Sequence, residues 1–265
     1  MLCKDCGLLW VHDITEQQII DFYNGEYFKS KDSIIGYNDY LADELLHRKN
    51  AANIVRKTQK YIKEAHPAAL DVGCAYGFFM DEAKKLGQET TGLELNQEAY
   101  RYSTEALGLK VFNKGLLDSH FNDGSFDVVY IIGTIEHMIA PAGCLEEINR
   151  ILKAGGIVVI TTMDTKGIFP VYSLKPPEHL FYFSHDNLRN LLTKTGFHTE
   201  KVSLHFSYYR MKDVLYRLEQ FAINKKIPFL PFFFSRLRKL MMDVTLKIPT
   251  NEMLVIARKS MGDGH

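Results

Sequence analysis

Cysteine is scarce in this 265-residue chain: four residues, at 3, 6, 74 and 144, too few and too scattered for a disulfide framework. No secretory leader pattern precedes them, so the sequence predicts a reduced, cytoplasmic protein. An excess of either charge is also missing. The 32 basic and 32 acidic side chains cancel, which leaves no global field to attract a polyanion and argues against a nucleic-acid partner. Long apolar runs are absent too. The most hydrophobic window, IPFLPFFF at 227–234, is far shorter than a bilayer span and carries two prolines, so no transmembrane segment is expected. Internal repeats and low-complexity tracts are lacking. What remains is an ordinary folded composition, 46% apolar, ample for a buried core and for one large domain or a domain with an appended lobe.

From residue 67 onward, short β-rich runs alternate with helical stretches, the pattern of a parallel sheet with crossover helices. Strands are expected at 68–72, 89–95, 109–112, 126–132, 156–162, 198–204 and 252–258, and helices near 77–86, 97–106, 141–153 and 184–195. In the last of these Ser184 is the candidate N-cap and Gly196 the C-cap. Residues 38–65 read as one long amphipathic helix and TEQQIIDFYNGEYF as a shorter one, together a helical N-terminal arm over 1–66. A second extra piece, 205–250, interrupts the pattern before the final strand, and 260–265 forms a flexible tail.

The informative stretch is LDVGCAYGFF, residues 70–79. A strand that ends in Asp71 and turns at once into a helix places backbone N–H groups at the carboxyl edge of the sheet, where open α/β sheets bind ligands. Gly73, Ala75 and Gly77 carry almost no side chain, so a nucleoside-like ligand can lie against the main chain. The next strand ends in GLEL, with Glu94 positioned to accept both hydroxyl hydrogens of an adenosine ribose. A dinucleotide fold wants G-x-G-x-x-G, whereas the register here is G-x-A-x-G followed by Phe78 and Phe79. Asp71 would also repel a pyrophosphate. A ligand with an ammonium and a sulfonium suits it better, and S-adenosylmethionine has both.

In these motifs the sequence resembles the class I S-adenosylmethionine-dependent methyltransferases, in the small-molecule branch of methyltransferase domain type 23 or 11. LDVGCAYGFF is similar to the family's first motif, GLEL to its second, DGSFDVVYIIGTIEHM to the fourth-strand segment and EINRILKAGGIVVITT to the helix and fifth strand. KPPEHLFYFS and LLTKTGF resemble the type 23 pattern. The resemblance covers about 37–204 and the final strand. It implies an α/β fold, a Rossmann-like, seven-stranded, mostly parallel sheet with an antiparallel last strand. The methyltransferase domain would span 67–259, with a helical lid insertion at 205–250. It further implies that Gly73, Ala75 and Gly77 contact the methionine part of the cofactor and Asp71 orients it. Glu94 would bind the ribose, Leu95 and Leu116 would contact the adenine, and Gly133 would lie beneath the cofactor. The family's middle glycine is Ala75 here.

Methyl transfer from a sulfonium is an in-line displacement, so the protein must align the acceptor and, where needed, remove its proton. His137, in GTIEHM, and His179, in KPPEHLFYF, stand where the topology points at the methyl group. His179 is the favoured base, with Glu178 orienting it, because related sugar methyltransferases resemble this chain in having a Glu-His pair there. His137 would otherwise cap a helix. Tyr37 and Tyr40 are candidates to close over the cofactor. The expected acceptor is a small molecule methylated on oxygen or carbon, a sugar or nucleotide-linked sugar among the candidates. The alternatives are a catalytically silent S-adenosylmethionine-binding partner protein and a membrane-surface methyltransferase of a lipid-like acceptor. GTIEH replaces the [D/N]-P-P-[Y/F] tetrad of nucleic-acid amino-methylating enzymes. One C-x-x-C, at Cys3 and Cys6, lacks the second pair that a zinc site needs, so no metal is expected. The basic, aromatic segment KKIPFLPFFFSRLRKLMM reads as an amphipathic lid or homodimer contact, with membrane-surface attachment as the competing reading.

Overall fold

The computed structural model describes residues 1–4, 6–12, 14–15, 18, 21, 28, 39–167, 178–242 and 244–260. In chain order these form β1 (Leu9–Trp10), α1 (Glu44–Thr58), β2 (Ala68–Val72), α2 (Phe78–Lys85), β3 (Glu89–Leu93), α3 (Gln97–Arg101), β4 (Val111–Phe112), β5 (Phe126–Ile132), α4 (Pro141–Ile151), β6 (Leu152–Met163), β7 (Phe181–Tyr182), α5 (His185–Lys194), β8 (Phe197–Arg210), α6 (Met211–Asn224), α7 (Leu230–Leu240) and β9 (Thr245–Lys259). Seven strands form one sheet in the order β4-β3-β2-β5-β6-β9-β8. The first five are parallel, and β9 runs antiparallel to β6. This is the Rossmann-like sheet expected from the sequence. Strand β2 pairs with both β3 and β5, so the connections diverge there and open a crevice at the carboxyl ends.

The central strands read as continuous apolar runs because both of their faces are buried. Side chains alternate across the sheet with period two. On one face Leu70 and Val72 of β2, Val158 and Ile160 of β6 and Val255 of β9 pack with Leu145 and Ile148 of α4 and Leu188 and Leu192 of α5. On the other, Ala69, Val128, Ile157, Val159 and Ile256 pack against Ile54 of α1. Helix α5 begins with a reciprocal cap: Asn187 N–H donates to Ser184 Oγ at 3.4 Å and Ser184 N–H donates to Asn187 Oδ1 at 2.8 Å.

The N-terminal region differs from the sequence expectation in two places. Helix α1 is shorter than the amphipathic pattern over 38–65, because the chain tightens into single 3-10 turns at Leu41–Asp43 and Gln59–Tyr61 and becomes extended at Ile62. A strand not marked in the sequence, β1, pairs antiparallel with β7 through Leu9↔Tyr182 and Trp10↔Phe181. Most of the shorter helix expected over 15–28, and residues 261–265 of the tail, lie outside the described residues. Arg48 on α1 forms ion pairs with Glu44, with Asp81 and with Glu82, the last at 3.0 Å, and lies 5.0 Å from the Phe78 ring centre. It clasps α1 to α2.

Contacts divide the chain into two compact units, Met1–His205 with Asn251–His265, and Phe206–Thr250. The smaller unit holds α6 and α7 with the ends of β8 and β9. Inside it Met211 N–H donates to Val244 O at 2.8 Å, and Arg238 pairs with Glu219 at 3.4 Å while lying 5.3 Å from the Tyr216 ring centre.

Gly77 caps α2 at φ +81°, a left-handed conformation that costs an L side chain about 1–2 kcal/mol. A Cβ there would also lie 2.6 Å from Leu109 Cδ1 and 3.0 Å from Ser103 Cβ, and overpacking of this kind costs about 1–3 kcal/mol. Gly77→Ala is therefore expected to destabilise the fold by about 2–4 kcal/mol in urea melts. A variant as stable as the parent would contradict this packing.

Candidate functional site

Three strand ends build the site. Strand β2 carries Asp71 in register with Gly92 of β3 and Tyr130 of β5. The chain then turns at Gly73, φ +76°, where the N–H groups of Gly73 and Cys74 both donate to Leu93 O at 2.9 Å. A Cβ on Gly73 would lie 2.7 Å from Thr134 Cγ2, so only glycine lets the turn approach the β5 loop this closely. Glu94, just past β3, accepts the Ala75 N–H on Oε2 and the Asn96 N–H on Oε1, each at 2.7 Å. Asn113 Nδ2 donates to Glu94 O at 2.8 Å and Leu95 O at 3.0 Å. Ala75 itself sits at φ +48°. The methyl group is accommodated, but in a conformation glycine adopts more readily.

Asp71 and Glu94 are both buried. Burial, and then the nearby Glu94 charge, push the Asp71 carboxyl up to about 8. Burial also raises Glu94, against the opposing pull of the N–H groups of Asn96 and Ala75. Asp71 Oδ2 is buried and has no hydrogen-bond partner, an expensive arrangement that a cationic donor would relieve.

Above this floor lies a cleft of about 420 Å³, within the range of small-molecule sites. Of the residues expected from the sequence, Gly73, Ala75, Glu94, Leu95, Leu116, Gly133 and His137 line it. Gly133, at φ +62°, has nothing within 4 Å of the position a Cβ would take. Asp71 and Gly77 are not in the lining; the first is buried and the second is packed under Leu109. Glu178 and His179 are buried as well and do not line the cleft. They reach it through His137: Nδ1 of His137 lies 2.8 Å from Glu178 O, and the rings of His137 and His179 meet edge to face at 4.8 Å. Leu180 N–H donates to Glu136 O at 2.8 Å, fastening the two loops together. The Glu178 carboxylate stands 4.0 Å from His179 Nε2, beyond hydrogen-bond reach.

Several residues that sequence reasoning passed over also line the cleft. Thr134, Leu117, Met138 and Ile139 add a largely apolar wall, with Cys144 and Phe28 beside them. Tyr40 is in the wall, stacked 3.9 Å from His47. Tyr37, and the Lys175 to Pro177 part of the loop before Glu178, lie outside the described residues. Glu136, His137 and His179 bring one ligand-type atom each within 4.8 Å of the others. A grouping of this kind could hold a metal ion, which the single C-x-x-C of the sequence did not point to.

Residues 70–160 match the family described as a methyltransferase domain, type 11. The chain is similar to the ubiquinone biosynthesis O-methyltransferase of Burkholderia vietnamiensis, 30% identical over 103 residues, which is 36% of this chain and 44% of that protein. It is also similar to the 2-methyl-6-phytyl-1,4-hydroquinone methyltransferase of Synechocystis sp., 35% identical over 96 residues, 34% of this chain and 30% of that protein. The matches thus span less than half the length of these curated relatives. The solved S-adenosylmethionine-dependent methyltransferase from Archaeoglobus fulgidus shares the fold, with TM-score 0.57 and 18% identity over 83% of this chain and 99% of that one.

The domain implies S-adenosylmethionine as its cofactor, and the residues present fit that group. Asp71 Oδ2 is a buried acceptor without a donor, and the Gly73 turn leaves bare backbone beside it. Because the Asp71 carboxyl titrates near 8, the cofactor-free protein holds a proton there at neutral pH. An ammonium bound beside Asp71 would favour the carboxylate, so binding would release that proton. Affinity for S-adenosylhomocysteine is expected to rise from about pH 6 to about pH 8 and level off above, and Asp71→Asn should both weaken binding and flatten the slope. The same raised value means that this carboxyl lowers stability of the cofactor-free fold as pH rises from about 4 through 8. Titration calorimetry across this range checks the slope; a parent affinity independent of pH would contradict it.

Proposed function

We propose, from the match of residues 70–160 to a methyltransferase domain, that this chain is an S-adenosylmethionine-dependent enzyme that methylates a hydroxyl oxygen on a small acceptor with an apolar body. The observation that carries the reading is the shared cleft. One wall holds the Gly73 turn and Glu94, another the His137 imidazole, and Leu116, Leu117, Met138 and Ile139 supply apolar surface between them.

When bound, S-adenosylmethionine supplies an electrophilic methyl group on a sulfonium. Asp71 would hold the ammonium of its methionine part, while Gly73, Ala75 and Gly133 keep that part against the main chain. Glu94 would bind the ribose hydroxyls. A carboxylate offers about four acceptor sites, so two backbone donors leave it capacity to do so. Leu95 and Leu116 would flank the adenine. Gly77 contributes by setting the turn.

His137 rather than His179 is the better-placed base. Its Nδ1 faces the Glu178 carbonyl, an oxygen that only accepts, so the neutral ring carries its proton on Nδ1 and Nε2 is the basic nitrogen. Glu178 and His179 then act as positioning residues that fix the His137 ring from behind. Among the curated relatives, the name of the ubiquinone biosynthesis O-methyltransferase favours an oxygen acceptor, and that of the phytyl-hydroquinone methyltransferase favours an aromatic ring with an apolar tail over a sugar.

The test is turnover with a panel of catechols, prenylated hydroquinones and nucleotide sugars, scored by S-adenosylhomocysteine release. Phenolic acceptors are expected to turn over. His137→Ala should lower kcat by about 10²–10⁴-fold while the Kd for S-adenosylhomocysteine stays within about twofold, because a general base acts in the chemical step and not in cofactor binding. Turnover only on nucleotide sugars would overturn the acceptor assignment, and an undiminished kcat would remove His137 from the chemistry. Cofactor binding without turnover on any acceptor would leave a silent binding protein.

A further inference from the structure

We propose that the Phe206–Thr250 unit docks on an anionic membrane surface through the α6–α7 turn and the outer face of α7. This goes beyond the methyl-transfer reading and stands on separate residues. The stretch 206–250 carries nine basic and three acidic side chains, whereas the rest of the chain carries 23 and 29. A chain of zero net charge thus concentrates its positive charge in one small unit.

The apolar residues are placed with the same polarity. The exposures of Phe229, Phe232, Phe233 and Leu240 are 88%, 71%, 56% and 81%. With Arg236, these fall at i, i+3, i+4, i+7 and i+11, one face of a helix. Arg238 lies outside that series and faces α6, held by Glu219 and the Tyr216 ring. The turn before α7 reads Lys225, Lys226, Ile227, Pro228, Phe229, all exposed, with left-handed backbone at Lys226 (φ +53°) and Phe229 (φ +64°). Two lysines beside an exposed aromatic pair, at the tip of a helical hairpin, match the chemistry of an interface between anionic headgroups and acyl chains. Isolated exposed hydrophobic residues are ordinary, but a contiguous stripe of this size marks an interaction surface.

Charge selects among occupants. A second copy of this chain would bring its own positive excess against the first in an isologous contact. Exposed aliphatic residues such as Ile227, Leu240 and Met242 favour acyl chains over a nucleic acid. Among the described residues no helix is long and apolar enough to cross a membrane, so the expected mode is lying at the surface rather than spanning.

Vesicle flotation of the full chain tests the proposal without requiring catalysis, so a failed methylation assay has no bearing on it. The vesicles are phosphatidylcholine alone, or phosphatidylcholine with phosphatidylglycerol at about one third, a fraction that gives a strongly negative surface. The protein is expected to float with the anionic vesicles at low salt and to lose about tenfold or more of its partitioning on neutral vesicles or at high salt. Phe229→Ser with Phe232→Ser, and separately Lys225→Glu with Lys226→Glu, should each cause a similar loss while the circular dichroism melt is unchanged. No flotation with anionic vesicles, or flotation that both double variants leave intact, would overturn the proposal. A dimer in solution that Phe229→Ser with Phe232→Ser dissociates, with no vesicle binding, would assign the face to a second copy instead.

Discussion

The carboxylate of Glu94 ties the site together. It takes one backbone N–H from the turn after β2 and one from the start of α3, and so extends the pairing of β2 and β3 into the turns beyond their carboxyl ends. The bonds hold the Ala75 amide in its left-handed conformation and draw a second buried acid, Asp71, under the same charge. Two carboxylates this close and this deep are costly when both ionise. Burial and the neighbouring Glu94 raise the Asp71 carboxyl, so a proton on Asp71 relieves the pair in the absence of a cation.

Every other feature of the larger unit serves that edge. Alternating aliphatic residues bury both faces of β2, β5 and β6, which leaves the strand ends as the accessible rigid points. Gly73 brings the turn against Thr134, Gly77 lets α2 start tightly over Leu109, and Arg48 pins α1 across α2. The opposite wall of the cleft is assembled from separate segments. The loop after β5 brings His137, the residues before β7 bring Glu178 and His179, and the His137 ring on Glu178 O, with the main-chain bond from Leu180 N–H to Glu136 O, fastens them together. A rigid wall facing a stitched one would suit the proposed methyl transfer, which depends mainly on alignment.

Much of this was legible in the residues alone. The short β-rich runs mark the strands, Ser184 announces its helix, and the order of Asp71 and Glu94 on successive strand ends marks the crevice. Other features leave no local trace. Gly77 stands in the glycine motif, but whether it meets ligand or packs under Leu109 depends on a residue distant in the chain. β1 and β7 are two residues each, too short for a pattern. The link from Glu178 to His137 runs through a backbone carbonyl, which no side-chain motif encodes. The amphipathic character of 205–250 was visible, whereas the outward aim of its phenylalanines required coordinates.

The central claim is that the Asp71 and Glu94 strand ends, with the bare turn between them, cradle a single adenosyl sulfonium donor. A crystal structure of the complex with S-adenosylhomocysteine addresses it most directly. The account predicts ribose hydroxyls on the Glu94 carboxylate, the amino group at Asp71 and the sulfur facing the His137 side of the cleft. Density for the ligand elsewhere, with both acids untouched, would contradict it.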